Sequence, residues 1–305
     1  MADPDAPAAT DGTPRDGATG DASIPVDAAK PQRTVIVIPF ENKDSVQIIG
    51  DTADAPYING LLATSAHATN FKDELAISIP SEPHYVWMEA GTNAFADHTF
   101  TTDSDPSASN STASTDHLVT TLEAAGVNWM AYQEGIAAGG CPTKSTGEYA
   151  AKHDPFVFFQ DVTSSARCAQ HHAPLTALPS DNLPAYTFIT PNLCNDMHGD
   201  LFCPSGLSDK SNIKAGDAWA AANLPALIAY THTHDATIFL VWDEGESTQL
   251  IPFIAIGDHV VKGADATLYS HSSLVKTIAE LLGVSPLDTV ASANDFAAMF
   301  EPGYL

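Results

Sequence analysis

Two apolar, strand-like segments of the chain are each followed at once by a pair of oxygen-bearing side chains. The first segment leads into Glu41 and Asn42, and the second, far along the chain, leads into Asp243 and Glu244. Ligands of parallel α/β sheets bind beyond the carboxyl ends of the strands, so these four side chains could surround one cation. Carboxylate and amide oxygens suit Ca²⁺ or Mg²⁺. The pattern favours metal-assisted hydrolysis, although acidic residues that merely cap turns are the alternative.

A hydroxyl group beside a glycine is the candidate nucleophile. The sequence predicts a short apolar strand over 85–88 that leads to Gly91 and Thr92. A hydroxyl becomes a usable nucleophile when a cation or a base lowers its pKa. Thr92 is therefore predicted to attack the substrate, and the alternative is a threonine that only stabilises a turn.

Two histidines are candidates for the same site. His198 follows a predicted strand end and could bind metal, hold a phosphate oxygen or protonate a leaving alkoxide. His153 precedes Pro155 and aromatic residues and is a second pocket candidate. The pairs 171–172 and 232/234 are weaker candidates, because adjacent residues on an extended chain point to opposite faces and the second pair precedes a core strand.

Composition limits the classes of protein that fit. The chain has 305 residues, 44% of them hydrophobic, which suits one large domain. Residues 1–32 are rich in Ala, Asp, Pro and Gly and predict a disordered tether, so the folded domain is expected over 33–305. A net charge of −26 repels nucleic acid. No apolar run approaches the roughly 18 residues of a membrane span, and we expect a monomer.

Four cysteines indicate the compartment. They stand at positions 141, 168, 194 and 203, which allows three disulfide pairings, of which nearest-neighbour pairing is the simplest. A zinc site of four thiolates is the alternative, although no CxxC spacing occurs. Two disulfides would place the protein in an oxidising compartment. Because a polar tail follows Met1, we expect a secreted, periplasmic or lipid-anchored protein whose leader has been removed.

Strand and helix signals alternate along the chain. Strands are predicted over 34–39, 127–132, 185–190, 237–242 and 252–256. Helices are predicted from Leu118, over 215–230 with a break or new start at Pro225, and over 272–282. This order indicates an α/β fold with a mostly parallel central sheet and helices on both faces. No GxSxG elbow, P-loop or complete GxGxxG is present.

Seven segments together resemble the phosphoesterase family of bacterial and plant phospholipases C and acid phosphatases, within the alkaline phosphatase and sulfatase superfamily. They occur in the family's order, as Phe40-Glu41-Asn42, 80–85, 129–134, 149–156, 190–198, 242–245 and 269–278. The resemblance covers residues 34–285. It departs from the family at His84, where most relatives have Asn, and around Thr92, where the family varies.

The resemblance implies a role for each candidate. It implies that Glu41, Asn42, Asp243 and Glu244 hold one divalent metal ion, of the Ca²⁺ or Mg²⁺ class. It implies that the residue at the Thr92 position is the nucleophile, touches the ion and forms a phosphothreonine. His198 and His153 would bind the phosphoryl group or assist the leaving group, and the substrate would be a phosphate ester.

Two other readings of the same chain stay open. A sulfatase would need a CxPxR-like motif, and the nearest match, at Cys141-Pro142, has its proline one place early and no arginine. A non-catalytic binding protein on the same fold would be expected to have lost acidic ligands, yet all four are present.

Overall fold

One eight-stranded sheet organises the computed structural model, which describes residues 33–305. The tether predicted for 1–32 lies outside the described residues. The strands are β1 Thr34–Phe40, β2 Ala66–Ala68, β3 Trp129–Gln133, β4 His172–Pro174, β5 Tyr186–Thr190, β6 Ala236–Trp242, β7 Phe253–Ile256 and β8 Gly263–Asp265. The helices are α1 Ser45–Ile48, α2 Pro56–Leu61, α3 Ser81–Ala90, α4 Leu118–Ala124, α5 Gln160–Thr163, α6 Arg167–His171, α7 Asp209–Thr231 and α8 His271–Leu281.

The strand order puts the predicted acidic pairs side by side. The order is β4-β3-β5-β1-β6-β7-β2-β8, and only β7 runs antiparallel to its neighbours. The predicted mostly parallel α/β sheet is therefore confirmed. Every residue of β1 and β6 is buried, which explains why these strands are apolar without alternation. Phe40 pairs in register with Trp242, so the residues that follow these two strands emerge together.

The strand predicted over 85–88 is wrong, because these residues lie inside helix α3. Nine of its ten residues are buried, all except Trp87, so the sequence shows an apolar run rather than a helical stripe. Pro83 stands in the first turn, where its missing N–H costs nothing. Gly91 ends the helix in the left-handed region at φ 64°, and a Cβ there would lie 2.1 Å from Val290 Cγ1.

The break predicted at Pro225 is also wrong. Helix α7 runs without interruption from Asp209 to Thr231 with Pro225 inside it. Leu224 and Leu227, on either side of the proline, are buried. Proline cannot donate the backbone hydrogen bond of its position. The packing of these two leucines compensates for that loss, as tertiary contacts often do.

Both disulfides have the nearest-neighbour pairing. Cys141 bonds Cys168 and Cys194 bonds Cys203, so no thiolate is left for a zinc site among these four residues. The second bridge closes a short loop that follows β5 and carries His198. No helix within 33–305 is at once long and apolar enough to cross a bilayer.

A buried histidine, His117, links helix α3 to helix α5. His117 Nδ1 lies 2.8 Å from Glu89 Oε1 on α3, and its Nε2 lies 3.1 Å from Asp161 Oδ1 on α5. Burial alone would lower the pKa of His117, but the hydrogen bonds and charges of the two carboxylates raise it above its usual value. The C-terminal half of α3 is thus held by an imidazolium between two carboxylates.

His117→Gln is expected to cost about 3 kcal/mol at pH 6, because it breaks a buried ion pair. The folded-state pKa is raised, so this stabilisation is complete below the unfolded value of about 6.5 and is lost as the pH rises through the raised value. Urea unfolding should therefore show a smaller difference between wild type and variant at pH 9 than at pH 6.

His259→Gln is the matched control, since His259 faces Glu301 at 3.0 Å on the surface, where such pairs contribute little. A cost of His117→Gln that does not change with pH would contradict the imidazolium assignment.

Candidate functional site

The four predicted metal ligands meet at the ends of β1 and β6. The Asp243 N–H donates to Phe40 O at 3.0 Å, and the Asn42 N–H donates to Asp243 Oδ1 at 2.9 Å. Glu41 and Asp243 are fully buried, and Glu244 is 5% exposed. The structure thus brings both acidic pairs into one buried pocket beyond the sheet edge.

Ser81 is the hydroxyl that lies among these oxygens. Its Oγ is 3.2 Å from Glu41 Oε2, 3.3 Å from Asn42 Oδ1 and 3.0 Å from Glu244 Oε1. A hydroxyl has one proton and can donate to only one of these three acceptors. The remaining oxygens converge without a donor, which is the arrangement expected around a cation. Ser81 is also the first residue of α3, whose positive dipole end favours an alkoxide or a phosphate.

Thr92 is not brought to the pocket. It follows the other end of α3, roughly 15 Å from Ser81 at the rise of an α-helix. Its Oγ1 donates to Ala94 O at 3.3 Å and accepts from the Ala94 N–H at 3.1 Å. The threonine therefore stabilises a turn, which was the alternative reading. The assignment of Thr92 followed from reading α3 as a strand that presents its last residue.

Within the described part of the chain, the pocket carries an excess of negative charge. Burial and the charges of Glu41 and Glu244 raise the pKa of Asp243 well above its usual value. Burial raises the pKa of Glu244 to about 7, with Glu41 adding to the shift and His84 opposing it. Buried carboxylates this close repel one another unless a cation lies between them. The donor set of carboxylate, amide and hydroxyl oxygens fits a hard divalent ion.

The Asn42 side chain fits the pocket in either of two orientations. Its backbone has a φ of 40°, the left-handed region that Asn tolerates, and this turns the side chain toward the carboxylates. When the side-chain oxygen of Asn42 points into the pocket, it faces only hydrogen-bond acceptors. This arrangement suits a bound cation. Turned over, its nitrogen would donate to Glu41 Oε2 at 2.9 Å and to Asp243 Oδ1 at 3.2 Å. The side chain can therefore satisfy the pocket with or without an ion.

His153 borders the pocket on the side of Glu41. Its ring stacks on Tyr85 at 4.9 Å between centroids, and its Nδ1 lies 3.4 Å from Glu41 Oε1. Burial lowers the pKa of His153 to about 4, so the ring is neutral near pH 7. Its buried Nε2 has no hydrogen-bond partner in the described chain. The Asp196 carboxylate completes a buried cluster with Glu41 and His153, and burial and the Glu41 charge raise its pKa.

Lys152 brings positive charge near Glu41 and Asp243, and His198 lies in the loop that follows β5. The His198 Nδ1 contacts Gly199 O at 2.7 Å, and the residue is exposed. Burial would lower the pKa of Lys152, but the hydrogen bond and charge of Asp103, with Glu41 and Asp243, raise it. Lys152 and Ser81 lie in segments 149–156 and 80–85, yet the sequence analysis assigned neither a role. Pro80-Ser81-Glu82-Pro83 is a recognisable helix start that could have identified Ser81 as an N-terminal residue.

The loops beyond β1 and β6 are fastened to each other. Asp44 Oδ1 accepts from the backbone N–H groups of Ser247 at 3.1 Å and Thr248 at 3.0 Å. A Cβ at Gly245 would lie 2.1 Å from Thr248 O and 2.6 Å from Asp44 Oδ1, so only glycine fits this close approach. Buried Lys43 donates to Glu246 Oε1 at 2.8 Å and anchors the same two loops. These contacts fix the spacing of the two acidic pairs.

The histidines ranked as weaker candidates lie elsewhere. His172 pairs with Asp154 at 3.0 Å in the core, and His232 lies on the surface beside Asp258. Cys141, the nearest match to a sulfatase nucleophile, is bonded to Cys168 and has no free thiol to be oxidised.

Comparison with solved structures shows the fold. The chain matches a protein of the alkaline phosphatase superfamily from Vibrio parahaemolyticus with a TM-score of 0.59 and 10% identity, over 86% of this chain and 69% of that one. It matches murine ectonucleotide pyrophosphatase/phosphodiesterase 5 with a TM-score of 0.57 and 10% identity, over 88% of this chain and 100% of that one. The predicted alkaline phosphatase-like fold is confirmed.

Sequence comparison shows the family. The chain is 30% identical over 256 residues to the phosphatidylinositol-3-phosphatase of Mycobacterium tuberculosis, covering 82% of this chain and 77% of that protein. It is 28% identical over 230 residues to the phosphate-repressible acid phosphatase of Penicillium chrysogenum, covering 70% of this chain and only 51% of that protein. The sequence profile of the Phosphoesterase family matches residues 61–285. The chain therefore belongs to the Phosphoesterase family and is a phosphoric ester hydrolase with an alkaline phosphatase-like fold.

Proposed function

We propose that this enzyme hydrolyses phosphate monoesters with Ser81 as its nucleophile and a divalent cation held by Glu41, Asn42, Asp243 and Glu244. The observation that carries the proposal is the position of Ser81 Oγ, within 3.3 Å of three of these four side chains. Acid phosphatases among the relatives support the monoester class. Ser81 takes the nucleophile's role that the sequence analysis gave to Thr92.

The cation would lower the pKa of the Ser81 hydroxyl and neutralise charge on the phosphoryl oxygens. The all-oxygen donor set favours the Ca²⁺ or Mg²⁺ class over zinc. Binding of the cation would also offset the mutual repulsion of the buried carboxylates. This would explain why they are stable in one pocket.

Each side chain near the pocket has its own role in the proposed reaction. Ser81 Oγ gives its proton to Glu244 Oε1, which lies 3.0 Å away, and attacks phosphorus in line; the bond to the leaving oxygen breaks and a phosphoserine forms at the positive end of α3. His198 Nε2, when protonated, gives its proton to the leaving alkoxide. His198, left neutral by that step, then accepts a proton from the water that hydrolyses the phosphoserine, and Glu244 returns its proton to Ser81 Oγ. Neutral His153 lies against Glu41 and positions that carboxylate. Lys152 adds positive charge beside the phosphoryl group.

The two disulfides indicate the compartment in which the enzyme works. Two disulfides form and persist in oxidising environments, and the acid phosphatase relatives agree with such a setting. We place the enzyme outside the cytoplasm.

An apolar rim favours a second candidate, a phosphate ester carried on a lipid. Leu201, Phe202 and Leu207 are 81%, 56% and 64% exposed in the loop between β5 and α7. The Cys194–Cys203 disulfide holds this loop close to His198. Exposed apolar side chains grouped in one loop are typical of contacts with apolar substrates or surfaces. A 30% identical relative named for phosphatidylinositol-3-phosphate supports this candidate, and cleavage of the phosphodiester, as in a phospholipase C, is its competing form.

Ser81→Ala is expected to lower kcat on a chromogenic phosphomonoester by at least about 1,000-fold, because the covalent step is lost. Thr92→Ala is the matched control and should stay within roughly twofold of wild type, since surface changes away from a site have small effects. Near-normal turnover by Ser81→Ala, or a severe loss in Thr92→Ala, would return the nucleophile's role to Thr92.

Asp243→Asn is expected to abolish activation by added Mg²⁺ or Ca²⁺ after treatment with chelator. In chelator the variant should unfold at a higher temperature than wild type, because it removes a buried like charge. With the cation present the order should reverse, since only the wild type gains binding energy. Asp258→Asn, at an exposed carboxylate, is the control, and equal cation-induced stabilisation of wild type and Asp243→Asn would contradict the ligand assignment.

Leu201→Ser with Phe202→Ser is expected to leave kcat/KM on a small water-soluble monoester unchanged and to raise KM for a phosphomonoester lipid in mixed micelles about tenfold. The reason is that partial burial of these two apolar side chains against a lipid contributes about 1.4 kcal/mol, which is a factor of ten. Val261→Ser, on an exposed residue beyond β7, is the control. Equal loss on both substrates, or no loss on either, would remove the lipid candidate.

A further inference from the structure

A second buried cluster of potential ligands lies behind the pocket, between α3 and α8. It consists of Asp73, Glu74, His84 and His271. The side chains of Asp73, His84 and His271 are 0–1% exposed, and that of Glu74 is 20% exposed. None of these residues belongs to the ligand set at the strand ends, although His84 Nε2 approaches Glu244 Oε2 to 3.7 Å.

Both histidines are fixed in the same tautomer by the backbone. His84 Nε2 lies 3.0 Å from Ile79 O, and His271 Nε2 lies 2.9 Å from Trp242 O. A carbonyl oxygen only accepts, so each Nε2 carries a proton. Each Nδ1 then faces a carboxylate oxygen. In a neutral ring this Nδ1 carries a lone pair and no proton. This anchoring of one ring nitrogen on a carbonyl is the usual outer support of metal-binding histidines.

The inward atoms have the spacing of ligands around one ion. Asp73 Oδ1 lies 2.9 Å from His84 Nδ1 and 3.7 Å from His271 Nδ1, and Glu74 Oε2 lies 3.6 Å from His271 Nδ1. Four ligands at about 2.1 Å from a tetrahedral ion lie about 3.4 Å apart. One ligand atom each from Asp73, His84 and His271 falls within 4.8 Å of the others.

Two of the buried atoms have no partner that would satisfy them. Asp73 Oδ2 and His271 Nδ1 make no hydrogen bond within residues 33–305. A buried lone pair that faces two carboxylates is unfavourable unless a cation or a proton lies between them. An entry path exists, because Asp73 and Glu74 also line a surface cavity of about 310 Å³.

We propose that Asp73, Glu74, His84 and His271 bind a second metal ion, of the zinc class. Two imidazole nitrogens and two carboxylates suit Zn²⁺ or Co²⁺, whereas the all-oxygen pocket suits a harder ion. Asp73, His84 and His271 supply three converging ligand atoms, and Glu74, whose oxygens accept hydrogen bonds from the backbone N–H groups of His271 at 3.2 Å and Ser272 at 2.8 Å, is the carboxylate next to them. The ion ties α3 to α8, and His84 lies three residues after Ser81, so it sets the position of the nucleophile's end of α3.

The test is Co²⁺ binding by the full chain, followed by the visible absorption of four-coordinate Co²⁺. The wild type and the variant Glu41→Gln/Asp243→Asn, which lacks the strand-end ligands, are both expected to show these bands. His271→Gln, whose amide nitrogen can still donate to Trp242 O, should lose them and bind Zn²⁺ at least about tenfold more weakly. His259→Gln, at an exposed histidine, is the matched control and should keep them.

Absence of the bands in wild type, or their persistence in His271→Gln, would overturn the proposal and leave the cluster as histidines protonated against carboxylates. Loss of the bands in Glu41→Gln/Asp243→Asn would also overturn it, because the ion would then belong to the strand-end pocket. If His271→Gln fails to fold by circular dichroism, Asp73→Asn replaces it, and the wild-type and strand-end spectra decide independently of either variant. None of these readouts depends on catalytic activity.

Discussion

The repulsion among carboxylates buried at one edge of the sheet is the constraint on which the rest of the site depends. Glu41 and Asp243 follow two strands paired in register, so the backbone brings their charges together. Their burial prevents water from screening the repulsion. Neither side chain can move away, because Asp44 and Lys43 fasten the two loops to each other. A divalent cation would resolve this conflict, and in the proposed function it would also neutralise charge on the phosphoryl group.

Helix α3 connects that constraint to catalysis. Its first residue, Ser81, lies among the oxygens of the pocket, and its far end is held by His117 through Glu89. Tyr85, one turn along, bonds Glu41 Oε1 at 2.5 Å and stacks on His153. The helix is buried on nearly every side, so its position is set by packing rather than by its own propensity. A small shift of α3 would displace Ser81, the proposed nucleophile, from the oxygens around it.

The sequence predicts the sheet well because its strands are continuous apolar runs followed by chemically distinctive residues. Glu41, Asn42, Asp243 and Glu244 could be identified as one group, since parallel strands place their carboxyl ends at one edge. The nucleophile could not be identified in this way. Helix α3 is too buried to show helical periodicity. Reading it as a strand, together with the family resemblance, led to Thr92 as the predicted nucleophile, whereas the geometry of the helix leads us to propose Ser81. Lys152 and the cluster around His84 depend on contacts between distant segments, which no local pattern reports.

Identification of the phosphorylated residue tests the account most directly. Wild-type enzyme mixed with a phosphomonoester and quenched in acid would be digested, and its peptides sequenced by tandem mass spectrometry. We expect phosphate on Ser81 and none on Thr92. Phosphate on Thr92, or a protein that carries no phosphate at any point of the turnover, would contradict a covalent mechanism centred on Ser81.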